Sequence, residues 1–115
     1  MGYRERRAEL WAERAASYLE AGEQIQTGFI AQTGWFIFTV PIATFVATDR
    51  AILVLSGHDV QRLPRDFRFG EPSGLYHRIE LDRTYKVHRQ YHAEIRAADE
   101  ALREMQDRGD LPESR

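Results

Sequence analysis

Three features of the chain predict an α+β fold, a small antiparallel β-barrel or sheet with a helix at each end. The first is ATFVATDRAILVL, Ala43 to Leu55, in which two apolar runs flank the polar triplet Thr48, Asp49 and Arg50. Its branched and aromatic residues suit a pleated surface, and the polar triplet suits a turn, so it is a β-hairpin. The second is a set of short segments in which apolar and polar residues alternate, the period of a half-buried strand. The third is an amphipathic stretch at each end with apolar residues three and four apart, the spacing of one helix face.

The N-terminal helix is expected from about Tyr3 to Glu20. Trp11, Ala15, Tyr18 and Leu19 form its apolar stripe with Leu10 at the border, while Glu5, Arg6, Glu9, Glu13 and Arg14 occupy much of the remainder. Gly22 is the expected C-cap, where a left-handed backbone is favoured. From Glu23 to Gly34 the pattern becomes that of a first strand, because Ile25, Thr27, Phe29 and Ala31 alternate with Gln24, Gln26 and Gln32. In WFIFTVPIATF apolar residues then fill both faces, and Pro41 forbids an uninterrupted central strand. Two readings stay open for Trp35 to Val40: a strand buried on both sides, or an apolar loop between the first and second strands.

In the central hairpin Asp49 is expected to turn the chain by bonding its own backbone two residues on. Ser56, Gly57, His58 and Asp59 form the next turn, and VQRLPR, Val60 to Arg65, is a short edge strand weakened by Pro64. DFRFGEPSG, Asp66 to Gly74, is an exposed loop that Phe67 and Phe69 can anchor to the core. LYHRIEL places Leu75, His77, Ile79 and Leu81 on one face and Tyr76, Arg78 and Glu80 on the other. Asp82 and Arg83 turn the chain into Thr84 to His88, with Tyr85 and Val87 on one side. The last helix starts near Gln90 on the seam Tyr91, Ile95, Ala98, Leu102 and Met105, and Gly109 with Pro112 beyond it marks the end. The expected organisation is an N-terminal helix over 1–21 that packs on or extends a domain over 22–108, followed by a disordered tail over 109–115.

At 115 residues the chain suits one domain with a genuine core. A net charge of −2 gives no general attraction to nucleic acid or to an anionic membrane. Residues 58 to 90 hold seven Arg or Lys against five Asp or Glu, whereas 91 to 115 hold four against seven. The absence of cysteine removes disulfides, thiolate metal sites and thiol catalysis. No secretory signal is visible in the charged Tyr3 to Arg14 segment. Trp35 to Leu55 has the length of a membrane span, but Asp49 and Arg50 would cost roughly 2.5 to 3.5 kcal/mol each near the bilayer centre, and Pro41 would break the helix.

The succession GEQIQTGFIAQTG, FVATDRAILVL, RLPR, a glycine-rich loop, a strand pair and YKVHRQYHAEIRAADEAL resembles the small bacterial pleckstrin-homology-like (PH-like) domains, over about Gly22 to Met105. The shared features are the first strand, the Thr-Asp-Arg hairpin and a closing C-terminal helix that plugs a partly open barrel. The resemblance implies no catalytic residues, and ligands that range from lipid head groups to peptides and protein partners. Six strands are visible in the chain, so WFIFTV or the Phe67 region supplies a seventh, or the barrel is incomplete.

Candidate chemistry is sparse. His88 and His92 are four apart, a metal-binding spacing on one helix face, but the strand-to-helix boundary near Gln90 separates them. Glu80 with Asp82, and Asp99 with Glu100, are paired acids on solvated faces or turns rather than an acid–base pair. RFGEPSG has the glycines of a phosphate loop without the helix that would present amides. The chain is therefore expected to be non-enzymatic, without cofactor or metal, and to bind a protein partner as a small subunit or adaptor of a larger assembly. Trp35, Phe36, Phe38, Arg62, Arg65 and Arg68 are the expected contact residues. The alternative is a peripheral membrane adaptor, with the Trp35 to Val40 loop inserting and the arginines of 62 to 89 meeting anionic lipid. Nucleic acid is disfavoured by charge and by the few exposed aromatics. A terminal helix can serve a homodimer, and the location is cytoplasmic or at the inner membrane face.

Overall fold

A computed structural model describes residues 3–33, 42–57 and 59–111. Helix α1 (Tyr3–Ala15) passes through a 3₁₀ turn (Ala16–Tyr18) and leads to strands β1 (Ile25–Gln32), β2 (Ile42–Thr48), β3 (Ala51–Ser56) and β4 (Asp59–Pro64). After a long loop come β5 (Tyr76–Glu80), β6 (Thr84–His88), a second 3₁₀ turn (Arg89–Tyr91) and α2 (His92–Arg108). The strands form one antiparallel sheet in the order β4-β3-β2-β1-β6-β5. Among the described residues the fold is thus α+β with six strands, and β4 and β5 are the two edges of their sheet. Pro64 is accommodated because β4 lies at an edge, where a missing backbone donor costs the ladder least. Among the described residues no helix is long and apolar enough to cross a membrane.

Side-chain alternation sorts the core into two layers. Phe29 and Ala31 of β1, Ala43, Phe45 and Ala47 of β2, and Ile52 and Val54 of β3 face α2, where they meet Ile95 and Ala98. Val46 and Leu53 face the other way and cluster with Trp11 and Ala15 of α1. Two helices therefore cover opposite faces, which explains why β2 is buried on both sides from Ala43 to Thr48. In the α2 layer Phe29 and Phe45 stack with centroids 5.1 Å apart, and Phe69 and Tyr85 set their edges against Phe45 at 6.0 and 5.1 Å. Offset and edge-on contacts of this kind add about 0.5–1.5 kcal/mol beyond the area buried.

The Asp66 to Gly74 segment is a mostly exposed loop anchored to the core through Phe69 and Phe67, as expected. Phe69 and Pro72 are buried, and both carboxylate oxygens of Asp99 on α2 accept backbone amides from the loop, Phe69 and Gly70, each at 2.9 Å. Those amides serve an internal carboxylate. At the far end of α2 Gly109 adopts φ 72°, its amide donating to Gln106 and that of Asp110 to Met105, the Schellman arrangement expected there. The apolar seam of α2 is spent on its own sheet, with Ile95, Ala98, Leu102 and Met105 all buried.

Two turn assignments change. Helix α1 stops at Ala15, and Leu19 is already extended. Gly22, at φ 80°, belongs instead to a separate turn closed by the Glu23 amide on the Glu20 carbonyl. In the central hairpin the turn former is Thr48: its hydroxyl oxygen accepts the amides of Arg50 and Ala51, both at 3.0 Å. Asp49 reaches across the chain and exchanges two bonds with Gln24, its carboxylate accepting the Gln24 amide at 2.8 Å and its own amide donating to the Gln24 carbonyl. This clamp fixes the entry to β1. A bulge between Ile25 and Thr27 then leaves Gln26 out of the ladder.

Candidate functional site

The three aromatic residues expected at a partner surface, Trp35, Phe36 and Phe38, lie outside the described residues. The three arginines expected with them occupy quite different environments. Arg65 is 3% exposed. Its guanidinium donates to the Thr48 carbonyl at 2.6 Å, to Gln26 Oε1 at 2.8 Å and to the Ala98 carbonyl at 2.9 Å, joining the end of β4 to the hairpin and to α2. Burial lowers its pKa, and the nearby Asp99 carboxylate opposes that. Arg65 is an internal tie, its guanidinium turned away from any partner. Arg68 is exposed and donates to Gln106 at 3.0 Å, alongside a shallow groove between the loop and α2.

Arg62 lies on the exposed edge strand β4 and belongs to a compact polar cluster. It binds the fully buried Glu23 carboxylate through both terminal nitrogens, with a closest approach of 3.0 Å. Glu23 also accepts the Thr48 hydroxyl and the Glu20 amide, and Arg62 donates to the Tyr18 carbonyl. The cluster holds the α1 exit, the start of β1, the hairpin and β4 together. Burial pushes the Glu23 carboxyl up, but the Thr48 hydroxyl, the Glu20 amide and Arg62 together hold it below the ordinary value. A lowered folded-state pKa means stability that is complete above the ordinary glutamate value of about 4.3, declines below it, and is lost as pH falls through the lower folded value. Glu23→Gln is accordingly expected to cost about 2 kcal/mol at pH 7, below the roughly 3–5 kcal/mol of breaking a fully buried pair because Arg62 keeps contact with water. Urea titrations at pH 7 and pH 3 check this: the gap between variant and parent narrows towards pH 3, and a gap of unchanged size there would show that the carboxylate charge contributes nothing.

The histidines do not converge on a reaction centre. In the β5–β6 pairing His77 stands opposite Val87 and His88 opposite Tyr76, so the two rings lie on opposite faces of the ribbon. His88 accepts the Gln90 amide and caps the 3₁₀ turn, which leaves His92 on α2 beyond the strand end. His77 meets His92 instead, ring centroids 6.5 Å apart, with burial and the His77 ring both holding the His92 pKa down. Among the described residues no group of three potential metal ligands exists.

What does converge lies on the α1 side of the sheet. Trp11 and Ala15 seat α1 over β1, β2 and β3, and among the described residues no helix covers β6, β5 and the far ends of β1 and β2 on that face. The strand register lines up a row across this uncovered half: Ile42 pairs with Gln32, Gln32 with Lys86, and Lys86 with Arg78. Beside it Tyr76 and His88 pair edge to face at 5.5 Å. Ile42 is 57% exposed and Tyr76 40%. Arg14, bonded to Thr44 at 3.0 Å, closes the α1 side of the row and lines a groove of about 350 Å³ with Tyr18, Ile42 and Leu55. This face was legible in part: the alternation of LYHRIEL puts Tyr76 and Arg78 together, and a turn at Asp82 and Arg83 puts Lys86 opposite Arg78.

Comparison of the chain with known protein families, curated proteins and solved structures found no match.

Proposed function

We propose that the chain is a non-enzymatic PH-like interaction module that binds a protein partner on the uncovered half of its sheet. The observation that carries this reading is the exposure of Ile42 and Tyr76 on a strand-built surface beside α1. Exposed large side chains that share one face with polar residues between them are a common make-up of an interaction patch. The PH-like part of the reading rests on the antiparallel six-strand succession, the Thr-Asp-Arg hairpin and the C-terminal helix laid over one face. The non-enzymatic part rests on the uses of the charged groups: Glu23, Arg62, Arg65 and Asp99 all act as ties between elements.

The test is capture from extract of the native cell with the immobilised full chain, parent beside Ile42→Glu and Tyr76→Ala. Both positions are exposed, so both variants keep the parent's melting temperature within a few degrees. The expected result is a retained protein partner that either substitution weakens at least tenfold. An identical set of retained proteins for all three would overturn the reading.

A further inference from the structure

The uncovered face also carries an unbalanced charge. Arg78 and Lys86 stand directly opposite each other on neighbouring strands, where side chains on one face approach to about 4.5–5.5 Å between Cβ atoms and like charges destabilise. Several other cations are answered by an acid beside them. Arg62 has Glu23 and Glu20, Arg83 has Asp82, Arg96 has Glu71 and Arg108 has Asp110. Among the described residues neither Arg78 nor Lys86 makes an ion pair or a side-chain hydrogen bond. The nearest acid along β5 on that face, Glu80, is occupied by the Thr84 hydroxyl at 2.7 Å.

We propose that this face receives an acidic segment of the protein partner, with two of its carboxylates lying on Arg78 and Lys86. The proposal rests on the protein-binding reading above and specifies the chemistry of what binds. Three features select the occupant. The guanidinium of Arg78 can hold a carboxylate through two parallel bonds, with Lys86 as a second point charge beside it. Tyr76 on one flank and Ile42 on the other supply apolar surface for side chains between the acids. Helix α1 rises about 10 Å above the sheet next to this row, forming a step in which an extended chain can lie and a planar bilayer cannot. The net charge of −2 points the same way, because it opposes a broad anionic surface while a short segment senses only charges within a Debye length of about 8–10 Å.

The test uses the full chain and a fluorescein-labelled twelve-residue peptide rich in Asp and Glu with interspersed Leu and Tyr, against its counterpart with every acid replaced by the matching amide. Anisotropy titrations are expected to show the acidic peptide binding at least tenfold tighter, with an affinity that falls several-fold from 50 to 300 mM salt. Lys86→Glu is the decisive variant. It places an acid opposite Arg78 and so raises the melting temperature slightly while weakening the acidic peptide at least tenfold, a pair of changes that misfolding cannot produce. Equal binding of the two peptides, or undiminished binding by Lys86→Glu, would overturn the proposal. So would sedimentation with phosphatidylglycerol vesicles that is stronger than peptide binding and is lost on Lys86→Glu, since a membrane would then be the occupant. If the acidic peptide fails while Ile42→Glu still abolishes partner capture, the acidic-segment proposal falls and the interaction module stands; if both fail, the module reading falls as well.

Discussion

Arg65→Ala is expected to destabilise the domain by about 3 kcal/mol and to lower its melting temperature by roughly 10–15 °C. Three acceptors on three different elements, the Thr48 carbonyl, Gln26 Oε1 and the Ala98 carbonyl, take bonds from one guanidinium that is 3% exposed. Truncation leaves the buried Thr48 and Ala98 carbonyls without this donor, at about 1–3 kcal/mol for each buried group left unsatisfied, while the exposed Gln26 amide can turn to water. Part of this is offset, since Arg65 no longer has to be desolvated and its burial already disfavours the charged form. Arg65→Met separates packing from bonding, because it keeps the apolar stem that arginine lays along its surroundings. That variant is expected to retain about 2 kcal/mol of the loss in urea titrations. A value within 0.5 kcal/mol of the parent would mean that Arg65 merely fills space.

Arg65 also shows where a sequence stops being informative. The six strands, both helices and Gly109 were readable because each rests on local signals: alternation, 3.6-residue periodicity and turn residues. The direction in which a charged side chain points is not local. Arg62 faces a buried carboxylate 39 positions earlier, and Arg65 reaches a helix carbonyl 33 positions later; the sequence of VQRLPR presents both as solvent-facing arginines. Asp49 misleads for the same reason, its partner Gln24 lying 25 positions away. Beyond α1, Arg62 takes the Tyr18 carbonyl from 44 positions later, a contact that local signals around Gly22 do not carry. The Arg78–Lys86 pair is the counterexample. Both belong to one hairpin, so alternation and the turn position suffice to set them opposite each other.

The open face exists only because α1 covers some strands and not others, and one glycine fixes where it sits. Gly28 is in a regular strand without a positive φ, so its role is space. An added Cβ would lie 2.8 Å from Trp11 Cγ and 2.9 Å from the Phe45 carbonyl oxygen. The indole ring can shift, but the carbonyl belongs to the neighbouring strand. Gly28→Ala is therefore expected to cost about 2–3 kcal/mol, as overpacking does, despite the 0.5–1 kcal/mol that replacing a strand glycine ordinarily gains. Trp11→Ala alone should cost about 3 kcal/mol, in the range for deleting a buried aromatic. The two losses should not add. Once the indole is gone the alanine meets only the carbonyl, so the double variant should be about 1 kcal/mol more stable than the sum of the singles predicts. Strict additivity in thermal or urea unfolding would mean that Trp11 and Gly28 are not in the contact described. Limited proteolysis gives a second reading of the same contact, because Gly28→Ala loosens α1 from the sheet and should speed cleavage at Arg14 before the strands are touched. A variant whose α1 is loosened but whose strands persist would also lose the step beside Lys86 and Arg78, so it should bind the acidic peptide more weakly without any change in the residues that face it.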